Sequence, residues 1–190
     1  MRRGAVGAVL VALAAAGCSS DGPNSAITNA PLCETGHDRQ AANAVILMAQ
    51  SVPSATWVPC IRAALPLGWN FHHLEASNGE ARFWLDSDRD GTRAVEVRLT
   101  GSCTTAGATE IPSDREDMRR LERVERISPG YVGRRYYVFD GGCLTVLFRL
   151  GGDNPGEALA LATQVVGVVS RTDLQEQVHE ESDGRLELDP

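Results

Sequence analysis

Lysine is absent. All 18 basic residues of the 190-residue chain are arginine, which removes Schiff-base and other lysine-based catalysis from consideration. Positive charge is scarce as well: 25 acidic residues leave a formal net charge of −7. The apolar run near the start, residues 4–17, is only fourteen residues long, and a helix needs about 20 to cross a bilayer. No internal repeat is visible. The local signatures of nucleophilic and zinc-dependent hydrolysis, Gly-x-Ser-x-Gly and His-Glu-x-x-His, are missing. Triads are assembled in space, so that absence lowers the weight of an enzyme reading without removing it.

What the chain does have begins with Met1-Arg2-Arg3, the uncharged run, and then Leu13-Ala14-Ala15-Ala16-Gly17-Cys18-Ser19-Ser20. A basic n-region followed by a short apolar h-region is the pattern of a secretory signal. Over these first twenty residues the sequence resembles the signal peptide and lipobox of a bacterial lipoprotein, with Ala15 where that pattern usually has Leu, Val or Ile. The resemblance implies cleavage after Gly17 and a diacylglycerol on Cys18. It places the protein, with at least two acyl chains, on the extracytoplasmic face of the cell membrane, since lasting anchorage takes two such signals. Ordinary secretory cleavage at Ala14-Ala15-Ala16 is the alternative and would leave Cys18 an unpaired thiol.

The cysteine count separates the two. Five cysteines are an odd number, and lipidation of Cys18 leaves Cys33, Cys60, Cys103 and Cys143 as an even set. In an oxidising compartment these are two disulfides. Three pairings are open, of which Cys33–Cys60 and Cys103–Cys143 are favoured because each joins segments expected to be neighbours. Without the signal, 16 arginines face 25 acids, so the mature chain carries −9 and suits neither nucleic acid nor an anionic lipid surface.

Along the mature chain, residues 18–32 read as a Ser/Gly/Pro/Asn-rich tether and 33–172 as one domain. Residues 41–51 have helical apolar spacing at Ala41, Ala44, Val45 and Met48, ended by Pro53. Between 52 and 67 only an irregular segment or a short helix near 60–65 is expected. Residues 69–76, 81–87 and 93–101 alternate as an antiparallel meander. One face should bury Phe71, Phe83, Leu85, Val95, Val97 and Leu99; the other carries His72, Arg82, Trp84, Glu96 and Arg98. Ser113 and Glu116 form a capping-box signature that predicts a short surface helix to about 125. A hairpin over 136–150 turns at Asp140-Gly141-Gly142. Asn154, Pro155 and Glu157 then open a helix running to Val169 that should pack across the sheet. The final segment, 173–190, holds seven acids and one arginine and reads as a solvated tail.

Four local patterns carry chemistry on paper. Asp86-Ser87-Asp88-Arg89-Asp90-Gly91 matches the first half of a calcium loop, yet position 12 is Val97 rather than a bidentate Glu. A polar hairpin turn explains it equally. His72 and His73, with His37 and Asp38 elsewhere, invite a metal, but neighbours on a regular strand point to opposite faces. Gly151-Gly152-Asp153-Asn154-Pro155-Gly156 resembles an anion-binding helix start, although capping accounts for it. Trp84 among Arg82 and Arg98 could stack on a sugar or peptide, or be held by cation–π pairing.

The expected fold is α+β: a two-layer sandwich of about five antiparallel strands with two or three helices mainly on one face. The expected function is a non-enzymatic binding or structural module, with no cofactor, engaging an envelope polymer or protein. A small extracytoplasmic hydrolase and a calcium-dependent adhesion or sensor domain are the alternatives.

Overall fold

The computed structural model describes residues 25–27, 29–33, 41–62 and 65–189. The signal segment, Cys18, His37 and Asp38 lie outside the described residues. An eight-stranded antiparallel sheet forms from β1 (Ser25–Ile27), β3 (Trp69–Ser77), β4 (Glu80–Ser87), β5 (Gly91–Thr100), β6 (Thr109–Ile111), β7 (Arg119–Arg126), β8 (Tyr131–Phe139) and β9 (Gly142–Leu150). Its spatial order is β1-β3-β4-β5-β9-β8-β7-β6. A separate ribbon pairs β2 (Trp57–Ile61) with β10 (Val166–Ser170). The helices are α1 (Asn43–Ser51), α2 (Pro155–Val165) and α3 (Arg171–Glu181).

The meander folds as its alternation requires. Phe83, Leu85, Val95, Val97 and Leu99 are all fully buried on one face, and α1, α2 and the ribbon cover them. Phe71 is half-buried at the margin of the same core. The hairpin turns at Asp140 and Gly141, where positive φ (67°) and a Cβ site 1.7 Å from the Ser54 carbonyl oxygen leave room only for glycine. Both favoured disulfides are present, Cys33–Cys60 and Cys103–Cys143. The second pins residues 101–108 over the opposite face, where Leu121, Tyr136 and Cys143 make a small separate core.

Several expectations are corrected. The sheet has eight strands rather than five. The capping-box segment is strand β7: the Ser113 hydroxyl accepts from Arg115 N–H in a local turn. The charges that looked like a solvated helix pair across strands instead, Glu122 with Arg135 at 2.8 Å and Glu110 with Arg119 at 2.8 Å. Cross-strand partners outweigh local helix propensity here. Residues 57–61 are extended, and Pro59 is tolerated because this two-stranded ribbon needs no donor on its outer edge.

The long C-terminal helix stops at Val165. Its cap is as read, Asn154 accepting from Glu157 N–H, but the β-branched run around Gly167 pairs with β2 as strand β10. The acidic segment after 170 is helix α3, not a tail throughout, because Leu174, Val178 and Leu188 are buried against the domain. Arg171 fastens it: its N–H donates to Thr56 O (2.8 Å) and its guanidinium to Ala49 O (2.9 Å) and Asp189 O. Burial pushes the Arg171 guanidinium below its ordinary value, partly offset by Asp189. Within the presumed tether, Ser25–Ile27 pairs with β3 and Leu32 bridges Ile61.

Candidate functional site

Strand β3 enters the sheet from Gly68 (φ 83°), β4 leaves it into the turn Asp88-Arg89-Asp90, and β9 leaves it through Gly151–Asn154 into α2. These three exits lie at one end of the sheet, and side-chain chemistry ties them together. Asp90 accepts from Ser87 Oγ at 2.7 Å and, through its other oxygen, from Gly152 N–H at 3.0 Å. Asp88 N–H donates to Gly68 O at 2.8 Å. A Cβ at Gly152 would stand 3.0 Å from Asp90 Oδ1 and 3.2 Å from Arg89 O, so glycine permits the approach. Arg89 and Glu157 are 3.7 Å apart, and Glu157 also accepts from Asn154 Nδ2 at 3.1 Å.

Between them opens a cleft of about 480 Å³. Leu67, Trp69, Ala158 and Leu161 line it together with Asp88 and Asp153, and the Asp88 carboxylate lies close to the backbone between Leu67 and Trp69, since a Cβ at Gly68 would stand 3.5 Å from its Oδ2. Leu67 is 104% exposed, an apolar side chain with no cover. Among the described residues, no hydrogen bond or ion pair engages the Asp88 or Asp153 carboxylates. The size falls in the range of small-molecule sites. The acidic turn and the glycine-rich helix start thus belong to one site, which the separation of 62 residues between Asp90 and Gly152 hides from a local reading. A second, more open cavity of about 600 Å³ lies between α1 and α3, lined by Ile46, Val178 and Leu186 among others.

The three carboxylates of the calcium-loop pattern go different ways. Asp86 sits on the opposite face, accepting from Arg93 N–H at 2.7 Å and pairing with His72 Nδ1 at 2.9 Å. Asp90 is spent on Ser87 and Gly152, so Asp86, Asp88 and Asp90 do not converge. Among the described residues, no group of three or more His, Cys, Asp or Glu could hold a metal ion.

On the opposite face the two readings of Trp84 were a stacking platform and cation–π pairing. The residue is 4% exposed. His73 stacks on it at 4.4 Å, and the guanidinium groups of Arg82 and Arg93 each lie 5.1 Å from its centroid. Trp84 is therefore held structurally and is not a free stacking platform. Arg98 joins the same face through Glu96 at 2.7 Å. A bulge between Phe71 and His73 breaks the alternation of β3 and brings both histidine rings to this face, 4.6 Å apart. His73 pairs with Glu75 at 3.1 Å, and Arg82 with Glu75 at 2.8 Å. The His73 hydrogen bond first, and then Arg82, hold the Glu75 carboxyl below its ordinary value against the opposing effect of desolvation.

Compared with known proteins, the chain matches no family model, no curated protein and no solved structure. Among the described residues, no helix is long and apolar enough to cross a membrane.

Proposed function

We propose that this is an envelope lipoprotein, anchored through Cys18 on the extracytoplasmic face of the cell membrane, whose domain binds a ligand in the cleft between the Asp88 turn and the start of α2. The cleft carries this reading: a cavity of about 480 Å³ lined by apolar side chains, with Leu67 uncovered, and by free carboxylates is a recognition surface rather than a packing defect. The two disulfides suit an oxidising compartment. Orientation supports it too. Ser25, seven residues after Cys18, pairs with Ala76 beside the Asn78-Gly79 turn, so a lipid on Cys18 reaches at most about 25 Å from that end. The cleft sits at the other end of β3, about 30 Å along the strand, beyond the reach of that anchor point.

Two measurements test the two halves of this reading. Replacing Cys18→Ala should move the protein from the membrane fraction to the soluble one; a variant still held as firmly rejects the anchor. A fragment screen by NMR on the disulfide-intact mature chain should perturb amides at 67–69, 88–91, 152–154 and 156–158. Hits confined to other surfaces reject the cleft.

The hydrolase reading keeps one observation, the His72–Asp86 pair at 2.9 Å, since a carboxylate-oriented imidazole is the core of a general base. Hydrolysis of an ester or peptide probe that is lost in His72→Gln would favour it over binding alone.

A further inference from the structure

We propose that the cleft selects a cationic amphiphile, with its alkyl or aryl part against Leu67, Trp69 and Leu161 and its ammonium or guanidinium at Asp88 and Asp153. The inference rests on the reading of the cleft as a binding site and adds the chemical class of its ligand. The carboxylates alone would make an ordinary solvated turn; the apolar side chains beside them make the difference. Four acids line the cleft against one arginine: Asp88, Asp90, Asp153 and Glu157 face Arg89. Two of the four are occupied, Asp90 by Ser87 and Gly152 and Glu157 by Asn154 and Arg89. Asp88 and Asp153 remain to accept from a ligand.

An anion is the first alternative, because helix N-termini attract one. Here the end of α2 is already answered: Asn154 Oδ1 accepts from Glu157 N–H, and Glu157 itself stands in the first turn. Asp153 at the mouth would repel an incoming anion. A neutral ligand would strip water from two carboxylates and return no partner, which is costly. A purely polar cation would satisfy the carboxylates and leave Leu67, 104% exposed, in water. Only a molecule with both parts answers both the apolar and the acidic lining residues.

The test uses the full mature chain as Cys18→Ser, disulfides intact, with octylammonium, octanoate and methylammonium below any micelle concentration, followed by amide shifts and by calorimetry. Octylammonium should saturate shifts at 68–69, 88–91, 152–154 and 156–158, bind about tenfold more tightly than octanoate, and weaken as salt is raised. Asp88→Asn with Asp153→Asn should weaken it about fivefold, the yield of two exposed charge contacts. Leu67→Ser should weaken octylammonium and leave methylammonium unchanged. These side chains bond nothing in the fold, so the variants keep their structure. Equal binding of octanoate, or an unmoved double variant, overturns the cationic selectivity while the cleft stands as a site. Silence of the cleft amides to all three compounds overturns the proposal; fragment hits there would still support a cleft of different chemistry, and their absence would remove the cleft reading as well.

Discussion

At the scale of single residues, position along the strand decided less than the partners each side chain met. Alternation puts Trp84 on the polar face, where it lies, and cation–π pairing was one of its two readings; His73, Arg82 and Arg93 close over it. A one-residue bulge that no sequence pattern signals put His73 within stacking range. Arg93 takes φ 55°, a conformation costly for a side chain with a Cβ, and so sets its N–H on Asp86 and its guanidinium near Trp84. Glu75 ties His73 and Arg82 together, which makes this cluster sensitive to acid. Its folded-state value is depressed below the ordinary 4.5. Its stabilising contribution is therefore fully present above that value and is lost as pH falls through the folded one. Glu75→Gln should melt below the parent at neutral pH, with the gap closing as pH falls below the ordinary 4.5. A gap that stays constant over that range would mean that the Glu75 charge is not what matters.

At the scale of elements, the errors share a physical origin. Local signals such as a capping box or a helix N-cap describe where a segment can start; they do not say which surface it will find. Asn154, Pro155 and Glu157 started α2 as expected, yet the helix gives way at Val166 because Trp57–Ile61 offers a pairing edge. Gly167 marks the changeover. A Cβ there would stand 2.6 Å from Arg62 Cγ and 2.8 Å from Cys33 Sγ. The arginine can swing aside, but the sulfur is fixed by its bond to Cys60. Gly167→Ala should cost about 1–3 kcal/mol by overpacking in urea unfolding, and much less in a Cys33→Ala/Cys60→Ala background. An equal cost in both backgrounds would remove the disulfide as the cause. Beta strand β7 tells the same story in reverse: Arg119 to Arg126 has no apolar stripe sufficient for a helix, and β8 supplied opposite charges at cross-strand positions.

At the scale of the molecule, two covalent loops hold a sheet that is covered by helices on one face and by residues 101–108 on part of the other. Cys33 and Cys60 are 27 residues apart and Cys103 and Cys143 are 40 apart. The chain-entropy argument makes them worth about 3.5 and about 4 kcal/mol. Replacing Cys103 and Cys143 together by alanine should lower unfolding free energy by about 4 kcal/mol and free the 101–108 segment for amide exchange, while the cleft at the far end of the sheet keeps its shape. A loss of ligand shifts at the cleft in that variant would show that the two ends are coupled after all.

The amino-acid sequence by itself determined what depends on short-range pattern and on counting. It specified the α+β class, the buried face of the meander at Phe83, Leu85, Val97 and Leu99, the Asp140-Gly141 turn and the start of α2. It also favoured the two cysteine pairs that form. Period and turn chemistry are local properties, written within ten residues of where they act. Tertiary structure alone decided the eight-strand order, the conversion of two expected helical stretches into β7 and β10, and the burial of Trp84. It alone joined the acidic turn to the glycine-rich helix start through Asp90 and Gly152. Each of these is a contact between side chains or strands that the local pattern does not pair, from neighbouring strands at Trp84 and β7 to Asp90 and Gly152, 62 residues apart, and its free energy exceeds the small propensity differences that a local pattern can register.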